Sequence, residues 1–165
     1  PMKFMSVSVE SKALVLGAVC LILCTAFPAW AALGGDITSV QSDQLRMQGT
    51  IRTSAKGSYA VHEIQSSAGT VVREYVASTG DFAGKVFAVA WQSPWPPNMR
   101  QLLGSYFEQY LQAAKAQSAS HVGRRPLMID QPGLVVQIGG HPRSFTGRAY
   151  VPQMLPSDVR AEDIQ

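Results

Sequence analysis

The sequence predicts an α+β domain: an antiparallel β-meander, one long amphipathic helix and a second β-hairpin, in the order βββ-α-ββ. Three observations carry this. "YAVHEIQ" (59–65) and "TVVREYV" (70–76) are rich in β-branched and aromatic residues and are separated by the turn-like "SSAG". Apolar residues then recur at steps of three and four from Met99 to Ala114, one broad stripe at helical period. Near the end, "GLVVQIGG" and "SFTGRAYV" flank "HPR", the pattern of a further hairpin.

The elements follow in chain order. Residues 32–48 are polar with sparse apolar positions, and Thr38 or Ser39 is expected to cap a short helix from Val40 to Met47. "TIRTSAKGS" (50–58) reads as loop. After the first hairpin, "VFAVAW" (86–91) is a third strand, reached through the Gly-containing link 77–85. "PWPPN" ends the sheet, because proline cannot donate to a ladder. Asn98 is a favoured N-cap with Gln101 three residues on, and the helix is expected from Met99 to about Ala119. That helix should cover the sheet. "PLMID" (126–130) is a short strand before the second hairpin, and the last residues form a short turn or helix from Ser157.

Across the first hairpin, a loop of even length places Glu63 and Glu74 on one face, with His62 and Arg73 on the other. A two-residue loop would set the glutamates directly opposite each other, which is unfavourable, so a four-residue loop is expected.

The 165-residue length suits one domain, and 46% apolar with 15% charged residues argues against general disorder. The net charge is only +3, and Arg124-Arg125 is the one adjacent basic pair. A nucleic-acid surface needs clustered Lys and Arg, so nucleic acid is not an expected partner.

The first thirty residues read as an address. Lys3 and Lys12 precede the apolar run "ALVLGAVCLILCTAF" (13–27), Pro28 breaks it, and Ala29-Trp30-Ala31 places small residues where a signal peptidase reads. Residues 1–31 are expected to be a cleaved signal peptide and residues 32–165 a single small domain, periplasmic or secreted. The alternative is a retained anchor, since Ala13 to Leu33 is uncharged and long enough for ~30 Å of hydrocarbon. Pro28 and the lack of a following basic cluster favour cleavage, with no stable membrane insertion afterwards. Cys20 and Cys24 both lie in the apolar run, so the mature domain is expected to have neither disulfide nor thiolate.

Few residues suggest chemistry. "HEIQS" lacks the second His of a zinc-protease helix, and it reads as strand. Glu63 and Glu74 are candidate paired carboxylates. His141 and Arg143, in the "GGHPR" turn, are candidates for binding an anion. Trp95, flanked by Pro94 and Pro96, is a candidate contact for a peptide, glycan or protein, although the favoured reading places it inward as a plug of the strand-to-helix corner.

The segments "YAVHEIQSSAGTVVREYV", "KVFAVAWQSP", "MRQLLGSYFEQYLQA" and "GGHPRSFTGRAYVP" resemble the domain of unknown function 2844 family, a group of exported proteobacterial proteins. The likeness runs from Ala32 to the end. It implies a signal peptide and a small α+β domain, and no activity. The expected function is thus a small non-catalytic binding or interaction domain of the cell envelope, without cofactor or metal, its partner another envelope protein. The alternative is an envelope hydrolase using Glu63/Glu74 or His141/Arg143.

Overall fold

A computed structural model of the chain describes residues 33–120 and 126–165. The expected signal segment, residues 1–31, lies outside the described residues. The elements are α1 (Ile37–Met47), β1 (Thr50–Lys56), β2 (Tyr59–Gln65), β3 (Val71–Ala77) and β4 (Val86–Ser93). They are followed by α2 (Met99–Leu103), a 3₁₀ turn (Gly104–Tyr106), α3 (Phe107–Ser120), β5 (Leu127–Gln131), β6 (Leu134–His141) and β7 (Ser144–Tyr150). Seven antiparallel strands form one sheet in the order β1-β2-β3-β4-β7-β6-β5. The α+β class, the meander, the helix between strands and the second hairpin agree with the sequence pattern.

Residues 50–58 are the first correction. They contain β1 and its turn into β2, with Gly57 at φ +66°. Every side chain of β1 is exposed. A strand wetted on both faces needs no apolar alternation, so the periodicity that marks half-buried strands was absent.

The second correction is the hairpin register. The β2–β3 link runs from Ser66 to Thr70, an odd length, and Gln65 pairs with Val71. His62 therefore faces Glu74, and Glu63 faces Arg73. One extra loop residue moves a whole strand's side chains to the other face. Glu63 and Glu74 thus lie on opposite faces of the sheet and do not form the expected carboxylate pair.

The helices cover one face. Its rungs run Ile64–Val72–Trp91–Gly147–Ile138–Leu127 and His62–Glu74–Val89–Ala149–Val136–Ile129. The β4–β7 pairing joins the early and late hairpins, and it has a tight point. A methyl on Gly147 would overlap the Trp91 ring and sit 2.7 Å from the Gln137 carbonyl oxygen. A bulge between Tyr75 and Val76 turns Phe87 to the opposite face. There its ring meets Tyr59 and Tyr75 at 5.9 and 6.1 Å. Tyr75 Oη donates to the main-chain oxygen of Gln165 at 2.8 Å and accepts from its N–H, pinning the last residues to the sheet.

Both helix starts are capped. Asp36, two to three residues earlier than expected, accepts from the Thr38 and Ser39 amides. Asn98 Oδ1 accepts from the Gln101 amide at 3.2 Å, as its position suggested. The long helix is interrupted, however: Gly104 sits at φ +50°, ψ −120°, and a 3₁₀ turn separates α2 from α3. The apolar stripe still packs inward, with Leu103 fully buried. Leu103→Ala should cost roughly 2–5 kcal/mol in urea denaturation. Arg100→Ala should cost little, because Arg100 is half-exposed beside Glu108 at 3.2 Å and over the Phe107 ring.

Candidate functional site

Prolines 94, 96 and 97 carry the chain from the end of β4 through a bend at Pro94–Trp95 to Asn98, with little freedom left to lose. Hydrogen bonds fix the corner at its root. Ser93, buried, shares a 2.8 Å bond with Thr70 Oγ1, and its oxygen accepts from the Trp95 amide at 3.2 Å. Pro94 lies against Gly69 of the β2–β3 turn. The expected plug does not form: Trp95 is 63% exposed, while Trp91, on the strand proper, is the buried indole at 2%. The prolines keep residue 95 outside the β4 ladder, so nothing forces its side chain into the core.

Trp95 stands at the rim of a groove of about 320 Å³ between the corner, the β2–β3 turn and the end of α1. Met47, Val72 and Leu102 give it an apolar floor. Its edges carry Gln48, Ser66, Ser67, Asn98 and Gln101, all polar and uncharged. Gln48 caps α1 in the left-handed conformation at φ +48°. Asn98 Oδ1 is engaged by the helix amide, so its Nδ2 is the group left to donate. Gln101 Nε2 donates inward to Asp43 Oδ1 at 2.6 Å, leaving its oxygen as an acceptor.

Behind Gln101 lies a buried acid pair that the sequence did not suggest. Asp43 on α1 and Glu74 on β3 are 1% and 0% exposed. Asp43 Oδ2 and both Glu74 oxygens meet no donor from any other described residue, and the two carboxyls neighbour each other. Burial, then the neighbouring Asp43, pushes Glu74 up to about 9, and burial raises Asp43 as well. His62, Glu74's partner across the strands, bonds Thr53 Oγ1 through Nδ1 at 2.9 Å and is kept neutral by burial, which lowers its pKa. Neither carboxyl lines the groove beside Trp95.

A larger hollow of about 520 Å³ lies on the sheet face opposite α1–α3, near Arg73, Arg148 and the C-terminal residues Ile164 and Gln165. Both arginines are already engaged. Arg73 Nε donates to Glu63 at 2.7 Å and its Nη1 to the Gln165 carbonyl. Arg148 donates to Gln137 and to the carbonyls of Ala161 and Ile164.

A family model described as protein of unknown function (DUF2844) matches residues 29–164. The chain belongs to the DUF2844 family. No curated protein and no solved structure matches it. In this DUF2844 chain the remaining sequence candidates stay apart. His141 and Arg143 are exposed in the β6–β7 turn, with Arg143 at φ +68°, and neither lines a groove described above. His141 Nδ1 lies 3.3 Å from the Pro142 carbonyl. Both share the sheet end that carries Trp95, because β4 pairs Ser93 with Phe145 there. Among the described residues no cluster of three His, Cys, Asp or Glu side chains could hold a metal, and no helix is long and apolar enough to cross a membrane.

Proposed function

We propose that this DUF2844 chain is an exported, non-catalytic binding domain of the cell envelope, and that the Trp95 groove is its binding site. The carrying observation is the exposure of Trp95 on a corner stiffened by prolines and anchored through Ser93. A large aromatic held rigidly in water loses little freedom on binding and offers much area, the usual profile of an interface anchor. Export rests on the apolar run with its small-residue cleavage pattern in residues 13–31.

Three measurements test this. The intact mass of protein from an envelope fraction should correspond to a chain starting at Ala32; full-length protein fixed in the inner membrane would contradict export. A photo-crosslinking residue at position 95, used in living cells, should give a discrete adduct that the same residue at Arg143 does not. Trp95→Ala should leave stability within about 0.5 kcal/mol. A loss of several kcal/mol would mean that the indole serves the core instead.

A further inference from the structure

We infer that the ligand of the Trp95 groove is a neutral oligosaccharide; this rests on the reading of the groove as the binding site. None of the described residues lining the groove is ionisable, in a chain with 14 Lys and Arg and 11 Asp and Glu. An anionic ligand would find no cation there, and a cationic one no carboxylate. A purely apolar ligand would strip water from the amides and hydroxyls on the rim without replacing their hydrogen bonds. What fits is an uncharged body with one apolar face and a dense edge of hydroxyls.

A pyranose ring has that form. Its C–H face lies on an indole, and its hydroxyls both donate and accept. The rim offers matching groups in fixed orientations: Gln101 Oε1 accepts because its nitrogen is held by Asp43, and Asn98 Nδ2 donates because its oxygen is held by the helix amide. Ser67 and the Gln48 side chain make no hydrogen bond among the described residues and are open to a ligand. A proline-rich peptide is the nearest competitor. Such peptides dock in grooves built from several aromatics, and among the described residues Trp95 is the only aromatic lining this one. The volume of about 320 Å³ is at the small end of ligand sites, suited to a short stretch of sugar chain.

The test titrates the full protein with chitotetraose, cellotetraose, maltotetraose and decaproline, followed by calorimetry and tryptophan fluorescence. At least one tetrasaccharide should saturate with Kd below about 10 mM. Trp95→Ala should weaken it at least about tenfold, and Trp95→Tyr, which keeps a stacking face, should restore part of the loss. Saccharide binding indifferent to Trp95→Ala would overturn the inference. So would decaproline binding through Trp95 with no sugar response, an outcome that leaves the groove a binding site and changes only its ligand. No response to any sugar, with the position-95 crosslink still forming, would likewise discard the saccharide and keep the site. Absence of both would remove the two together.

Discussion

Between pH 6.5 and 9 the fold should lose stability steadily, and Glu74→Gln should abolish most of that slope. Glu74 has an ordinary pKa of 4.5 and is raised to about 9 by burial and by Asp43. In that interval the folded protein keeps a proton that the unfolded chain has released. Stability is therefore full below 4.5 and falls until the pH passes 9. Asp43, also raised by burial, acts in the same direction. His62 acts oppositely: its lowered pKa means that the unfolded chain takes up protons first as the pH drops below 6.5. Above that range the acid pair leads the slope among the described residues, joined as the pH nears 10 by Tyr75 and Tyr110, which burial also raises. Arg46, whose charge favours ionised Asp43, does not outweigh burial. A glutamine at 74 keeps the shape and offers Asp43 a permanent donor. At pH 9 it should raise stability above that of the wild type, because glutamine has no proton to hold. Urea denaturation across the pH series measures this. Parallel slopes for wild type and variant would mean that Glu74 is solvated.

Gly147→Ala should be among the most damaging single-methyl additions in the protein. The new carbon would overlap the Trp91 ring and press on the Gln137 carbonyl oxygen. The ring is buried on all sides and the carbonyl belongs to the β6–β7 ladder, so neither can step aside freely. Overpacking of this kind costs about 1–3 kcal/mol where some relaxation is possible, and backbone contact puts this site at or above the upper end. Gly139→Ala, where an added carbon meets nothing within 4 Å, is the control and should be nearly neutral. A thermal shift equal to that of the control would contradict the close approach.

The two sites also mark what the sequence could and could not convey. β2, β3, β4, β6 and β7 were legible because each is half or fully buried, and burial writes itself into β-branched and aromatic runs. β1 was not, being wet on both sides. The face assignment of His62, Glu63, Arg73 and Glu74 hinged on the parity of one loop, which composition does not fix. Glu74 looked like any polar strand residue. Only the packing of α1 over β3 reveals that its neighbour is Asp43. Trp95 stood out by its proline flanks and was expected to plug the corner; its outward direction depends on where the ladder stops, just before Pro94. Gln101 was read as a capping residue, and its bond to Asp43 had no local signal.

The sheet order has a kinetic consequence. β1 through β4 join their neighbours through short links, as do β5 through β7, so each set forms from local encounters. The β4–β7 pairing alone must bring together segments separated by the helices and two further strands. The entropy of closing that loop falls on a single seam, after both local units exist. Gly147 lies on it, opposite Trp91. The damage from Gly147→Ala should therefore appear largely as slower folding. On this topology the joining of the two strand sets is expected to be the slow step, at a place where there is no room for a methyl group.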